Sequence, residues 1–320
     1  MALNLTTTKE IAAHDRLRCF FYGLPGSGKT HLAGTFPAPL FIVPEKIAEE
    51  LRTCGDAHLT AATFGDVQGF LDTVNEVSKL LKVGKKIGKY KPQSIIIDST
   101  TEIQNMIEHE ILVGRWKDQG EDGNFPTLRD RDWGMMYNVL MSTRNMLYSI
   151  PGTHIIWIGH AKQREVNVSQ GKKRETKIVK DIVLRGDAKN FIPNSCNVLS
   201  YLKCKPMGTD AETGNPKTAY YLYGRPNEGW NSRIHLPSSQ VGFLRLGGES
   251  TPDNAKPTYD QLAPYFGLPS RDECEEGIEF GAIETRKAKE ASPEKTSSVG
   301  LTPKKKKPER PKTTAKGKTK

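Results

Sequence analysis

Cys19-Phe20-Phe21-Tyr22-Gly23-Leu24-Pro25-Gly26-Ser27-Gly28-Lys29-Thr30 is the stretch on which the fold turns. Its first four residues run without a polar interruption and read as a buried strand. The octet from Gly23 to Thr30 then fits G-x-x-x-x-G-K-[ST] at every fixed position. Glycine at those places lets main-chain N–H groups curl around phosphate with no Cβ in the way. Lys29 is placed to reach the β- and γ-phosphates of a nucleotide, and the Thr30 hydroxyl to sit on Mg²⁺. Gly23, Leu24, Pro25, Gly26, Ser27, Gly28, Lys29 and Thr30 are therefore the candidate nucleotide-binding residues, with ATP and Mg²⁺ as the expected ligands. The bland reading is a glycine turn that binds nothing.

Apolar runs and helical patterns alternate outward from this loop. Leu40-Phe41-Ile42-Val43, Ser94-Ile95-Ile96-Ile97-Asp98 and His154-Ile155-Ile156-Trp157-Ile158-Gly159 read as further buried strands. A short helix is expected from near Gly28 to before Pro37. Val67, Phe70, Leu71, Val74, Val77, Leu80 and Leu81 repeat at helical spacing, with Thr63 and Asp66 as an N-terminal cap. Ile103, Met106, Ile107 and Ile111 mark a second long helix, and Trp133, Tyr137, Leu140 and Leu147 a third. Residues 84–91 and 118–130 read as loops. Residues 198–202 and 219–223 read as a late β-hairpin or meander. Strands alternating with helices through residue 160 imply an α/β fold whose mostly parallel sheet is covered by helices on both faces.

The net charge of +10 on 320 residues is uneven. Residues 303–320 hold nine Lys or Arg and one acid, Glu309, so this stretch contributes +8 and leaves +2 for the rest. It reads as a nucleic-acid patch or as a solubilising end. Residues 271–298 are Glu-rich and poor in large apolar side chains. Neither stretch buries enough apolar surface to offset the entropy of ordering. The expected organisation is an N-terminal extension over 1–15, one nucleotide-binding domain over 16–268, and a disordered linker and basic tail over 269–320. No run approaches the ~20 apolar residues of a membrane span, and the first residues carry no signal-peptide pattern. A cytoplasmic protein with no membrane partner is expected. The five cysteines include no C-x-x-C pair, so they read as reduced thiols, with Cys19 in the core.

A P-loop needs a second acid near its metal. Asp98 ends an Ile-rich strand, where it can help hold Mg²⁺ with Thr30; the structural alternative is a cap for the helix that begins near Thr101. Hydrolysis also needs a group that orients water. Glu45, just past the second strand, and Glu102, one turn into the later helix, are the candidates. AAA+ motors carry a glutamate directly after the metal-binding aspartate, whereas Ser99 stands there in this chain. His160 follows the fourth strand, at the carboxyl edge of a parallel sheet, where a polar side chain can sense a γ-phosphate. Its structural alternative is a histidine satisfied by the backbone. Glu45, Lys29 and His160 are the catalytic candidates, and Thr30 and Asp98 the metal candidates.

Together these residues resemble the phage-encoded RecA-like P-loop ATPases called phage nucleotide-binding proteins, some of which are grouped with single-strand annealing proteins. The resemblance covers roughly residues 16–223. It rests on the glycine loop, Glu45, Ile95-Ile96-Ile97-Asp98-Ser99, the helix from Trp133 to Leu147, and Gly159-His160-Ala161-Lys162. It implies a RecA-like P-loop NTPase core and ATP hydrolysis, with Glu45 in the position where RecA-like ATPases carry their catalytic glutamate. It also implies action on single-stranded DNA in phage recombination, annealing or replication within the host cytoplasm. A single-strand binding protein and further copies of the chain are the implied partners. In RecA-like cores the loop after the sensor strand touches DNA. Here that loop would be residues 162–189, with nine Lys or Arg against four acids. A solvated hairpin turning at Ser169-Gln170-Gly171 is the plainer reading, and Arg185 is alternatively a finger toward a neighbouring subunit. Tyr220, Tyr221 and Tyr223 either stack bases or pack in the core. Two other classes stay open: a nucleotide-gated interaction module with negligible turnover, and a small-molecule kinase, for which Arg129, Arg131 and Arg174 form no evident lid.

Overall fold

Strand β1 (Arg18–Gly23) has no polar face. Phe20 and Tyr22 enter one hydrophobic cluster, while Cys19 and Phe21 enter another. Strand β4 (Ser94–Asp98) divides the same way, Ile95 and Ile97 against Ile96. So does β5 (His154–Gln170), with Ile155 and Trp157 against Ile156 and Ile158. Strands buried on both faces need helices on both sides. The computed structural model supplies them; it describes residues 16–53, 59–119, 126–170, 173–209, 214, 216–224, 231–234, 245–246 and 256–275. Helices α1 (Lys29–Gly34) and α2 (Glu45–Thr53) and the short α7 (Tyr259–Leu262) pack on the Phe21 face. Helices α3 (Val67–Lys82), α4 (Thr100–Gln119), α5 (Asp130–Tyr148) and α6 (Ala188–Asn194) pack on the Phe20 face.

The sheet order is β10 (Arg245–Leu246), β8 (Pro216–Tyr223), β7 (Val198–Thr209), β1, β5, β4, β2 (Pro39–Pro44), β3 (Thr60–Phe64). From β7 to β3 every pairing is parallel, so these six strands end at one edge. The late hairpin is present: β8 turns back antiparallel on β7. The short β9 (Arg233–Ile234) also pairs antiparallel with β7. The α/β architecture expected from the sequence is thus the observed one. Strand β5 lies between β1, which feeds the glycine loop, and β4, which ends in Asp98.

Several local expectations change. Asp66 caps α3 by accepting the Gly69 N–H at 2.6 Å, whereas Thr63 belongs to β3. Helices α4 and α5 reach Gln119 and start at Asp130, which narrows the expected loop at 118–130. Strand β5 does not stop at Gly159. It runs on to Gln170 and pairs antiparallel with β6 (Lys173–Ile182), from Ala161↔Ile182 to Gln170↔Lys173. Most of residues 162–189 is therefore the hairpin of the plainer reading rather than a loop, with Ser169 and Gln170 still within β5. Val166, Thr176, Ile178 and Val179 favour strand, but the described side chains at 162–166, 176 and 178–180 are exposed or part-buried, so no buried periodicity marks the hairpin.

The ordered body also passes the expected boundary at 268. Helix α8 (Arg271–Glu275) sits within the stretch read as disordered. Polar contacts rather than apolar burial hold it: Ala38 N–H donates to Glu275 Oε1 at 2.8 Å, and Gln93 Nε2 donates to the Cys274 carbonyl at 2.6 Å. Residues 1–15 and the tail from 276 to 320 lie outside the described residues, as does Cys54. Cys19, Cys196, Cys204 and Cys274 are free thiols, and Cys19 is in the core as expected.

His154, at the start of β5, ties the sheet to the C-terminal segment. Its Nδ1 accepts the Leu17 N–H at 2.9 Å. The rings of Phe36 and Tyr259 meet it edge-on at 5.8 and 5.7 Å. Burial pushes its pKa down to about 4, so the folded protein holds a neutral imidazole whose acceptor nitrogen is in use. In the unfolded chain the same group takes a proton near pH 6.5, so stability should fall as pH drops from about 6.5 to about 4. The expected loss is on the order of 3 kcal/mol across that window. Urea unfolding of the wild type and of His154→Asn, which keeps an acceptor but cannot titrate, checks this. Parallel pH profiles for the two proteins would contradict it.

Candidate nucleotide site

The turn between β1 and α1 depends on its glycines. Gly26 and Gly28 have φ of 74° and 87°, in the left-handed region that glycine tolerates. At Gly23 a Cβ would lie 2.3 Å from the Leu202 carbonyl oxygen and 2.5 Å from Ser27 Oγ. The end of β1 thus packs directly on β7. Lys29 folds back over this turn. Its Nζ donates to the carbonyls of Leu24 at 3.0 Å and Gly23 at 3.2 Å, and Ser27 Oγ lies at 3.5 Å. Burial lowers its pKa, and the nearby Asp98 carboxylate opposes that shift. Phosphate oxygens would satisfy this ammonium better than neutral carbonyls do.

Thr30 Oγ1 donates to Asp98 Oδ2 at 2.8 Å. A hydroxyl and a carboxylate oxygen are the hard donors that Mg²⁺ takes. The residues present therefore fit the metal at Thr30 and Asp98, and they fit phosphate in the glycine turn. Asp98 is buried, and the helix after it is fastened locally by Ser99 Oγ, which accepts the Glu102 N–H at 3.2 Å.

His160 is the register partner of Gly23 in the β1–β5 ladder. Its backbone N–H donates to Thr101 Oγ1 at 3.1 Å, which links the loop side of the site to the first turn of α4. Glu45 is exposed and opens α2. The β2–β4 register sets Ile42 opposite Ile97, so Glu45 lies just beyond the edge where Asp98 ends its strand. Its carboxylate is turned to the β3 side, however: a Cβ built on Gly65 would come 3.9 Å from Glu45 Oε2. The structure thus brings Lys29, Thr30, Asp98 and His160 to one edge, with the Glu45 carboxylate turned aside.

Sequence reasoning missed the residues that fasten the hairpin to this edge. Gln104 is buried on α4 and grips the backbone of Arg185: its Oε1 accepts the Arg185 N–H at 2.8 Å and its Nε2 donates to the Arg185 carbonyl at 3.0 Å. The Arg185 guanidinium pairs with Glu108, so it is engaged within its own chain. A lone glutamine in a helix carries no sequence signal for such a clamp. The tyrosines separate by strand alternation. Tyr221 and Tyr223 join Tyr201 and Tyr22 in the core, with Tyr221–Tyr223 rings 5.9 Å apart and Tyr22–Tyr201 rings 5.3 Å apart. Tyr220 points the other way, and its Cδ1 lies 3.4 Å from where a Cβ on Gly28 would be.

The bond from Thr30 to Asp98, made past the intervening strand β5, is the arrangement of a P-loop nucleotide-binding domain, and nucleotide binding is what this edge of the sheet is shaped for. Within that class, the pattern of the AAA domain matches residues 15–234, and the chain belongs to that family. No curated protein matches it. No helix among the described residues is long and apolar enough to cross a membrane.

Lys29→Met should remove tight ATP binding without lowering the melting temperature of the nucleotide-free protein. The ammonium is held at a desolvation cost that the thioether does not carry. Calorimetry with ATP and thermal melting test both halves. Unchanged nucleotide affinity would overturn the loop assignment.

Proposed function

We propose that this chain hydrolyses ATP and uses its nucleotide state to govern a basic β-hairpin that binds single-stranded DNA, in phage recombination, annealing or replication. The observation that supports this most is continuity. Strand β5 pairs with the P-loop strand up to His160 and then becomes the first arm of the hairpin without a break. The hairpin's return is fastened to α4, the helix that begins two residues after Asp98, through Gln104 and Glu108. Arg164 and Lys189 both bond Asp181, at 3.2 and 2.6 Å, so they brace the base of the hairpin. The remaining cations of 162–189, apart from Arg185, are the ones offered to phosphates. A single-strand binding protein and further copies of the chain are the partners such a role calls for.

In this reading Lys29 and the glycine turn hold the phosphates, and Thr30 and Asp98 hold Mg²⁺. The metal, when bound, neutralises phosphate charge. His160 reports on the terminal phosphate through its place beside Gly23. Glu45 orients water once its side chain swings from Gly65 toward Asp98. The position it has beside Gly65 favours a second reading: a nucleotide-gated interaction module with negligible turnover.

Phosphate release with and without single-stranded DNA separates the two. DNA should stimulate the wild type. Glu45→Gln should keep ATP affinity and lower the rate by roughly 10²-fold, the scale of a lost general base. Neutralising Lys172, Lys173 and Arg174 together should remove the stimulation while leaving the basal rate. A slow basal rate indifferent to DNA supports the gated module, and phosphate passed to a metabolite would make the protein a kinase.

A further inference from the structure

Lys256 lies beyond the matched region, which ends at residue 234. Yet its side chain reaches the glycine turn. A Cβ built on Gly28 would lie 3.8 Å from Lys256 Cδ, beside the Tyr220 contact at 3.4 Å. The Lys256 ammonium is 5.7 Å from the centroid of the Tyr220 ring. Among the described residues no carboxylate pairs with Lys256, and the Tyr220 O–H has no hydrogen-bond partner. A cation with no carboxylate partner among the described residues thus stands beside the residue that closes the phosphate turn, steadied by an aromatic ring.

The placement of Lys256 is built in. Three residues later, the Tyr259 N–H donates to Thr35 Oγ1 at 2.8 Å, at the far end of α1. The Tyr259 ring is fully buried against Phe36, with centroids 4.9 Å apart. Three extended residues cover about 10 Å, and the six residues of α1 rise about 9 Å. A chain anchored at Thr35 and running back along α1 therefore arrives at Gly28. It arrives on the side of β7 and β8, across β1 from β5 and β4. A nucleotide whose terminal phosphate lay at Thr30 and Asp98 would leave its inner phosphates within the turn that Gly28 closes, the part that Lys256 approaches.

We propose that Lys256, carried on the segment after the AAA domain, is a second phosphate-binding lysine of this site, positioned by the ring of Tyr220. The proposal rests on the P-loop reading above and adds the inner phosphates, common to ATP and ADP, as its target. It ties the nucleotide to the segment of residues 256–275, which hydrogen-bonds Thr35, Ala38 and Gln93 and packs Tyr259 on Phe36 and His154.

The test is titration of fluorescent ATP and ADP against the full chain, for wild type, Lys256→Ala, Lys256→Arg, Tyr220→Phe and Tyr220→Leu. Lys256→Ala should weaken ATP and ADP alike by about tenfold, the scale of one lost charge-assisted contact. Lys256→Arg should recover most of that. Tyr220→Phe should match wild type, and Tyr220→Leu should weaken binding by a smaller factor. The nucleotide-free melting temperature of Lys256→Ala should match wild type, which separates a lost contact from a lost fold. Wild-type affinity in Lys256→Ala, while Lys29→Met still abolishes binding, overturns this proposal and leaves the P-loop reading standing. Loss of single-stranded DNA binding with nucleotide affinity intact also overturns it. A wild type that binds neither nucleotide overturns both.

Discussion

The bond from Thr30 to Asp98 joins residues 68 positions apart, and the fold has to be right for them to meet. Thr30 must leave a sharp turn in the second position of α1. Asp98 must end a strand separated from β1 by exactly one neighbour. That neighbour, β5, has to run parallel to both, so that all three stop at the same edge. The two-faced hydrophobic pattern makes this order stable, since each of these strands is sealed by helices above and below. The polar pair needs no separate support: it sits where the apolar sheet runs out.

The glycine turn shows the opposite economy. Gly23 is packed so closely against the Leu202 carbonyl that β7 forms one wall of the turn. The late hairpin is thus part of the nucleotide site as well as an edge of the sheet. Its alternation sends Tyr221 and Tyr223 inward to a ladder of aromatic rings and leaves Tyr220 facing Gly28. One strand builds core with one set of residues and lines the site with the next.

What was legible in the sequence follows from what is buried. Ile95-Ile96-Ile97 and Ile155-Ile156-Trp157-Ile158 could be little else than central strands, and the P-loop announces itself by spacing. Strand β3, Thr60-Ala61-Ala62-Thr63-Phe64, passed unseen because an edge strand carries few large side chains. The β5–β6 hairpin was legible as the plainer of two readings, because apolar residues such as Val166, Val168, Ile178 and Val179 are outnumbered by charged and polar ones. Helix α8 looked disordered because composition registers missing apolar area and is blind to a carboxylate such as Glu275 reaching a single backbone N–H. At the site, residue types pointed to Lys29, Thr30 and Asp98. They did not point to Gln104 or Lys256, whose importance comes entirely from where the chain returns.

The proportions of β5 have a mechanical consequence. Its ladder with β1 ends at His160, and ten further residues, 161–170, run out in the hairpin. At about 3.3 Å per residue this arm is roughly 33 Å long. A tilt of about 5° at its root, within the range that side-chain repacking produces, would sweep the tip through about 3 Å. That is close to the rise of one base along a stacked strand of DNA. The root lies beside Gly23, so on the proposed function an ångström-scale change in the phosphate turn would be geared up to a nucleotide-scale displacement at the far end of the same strand.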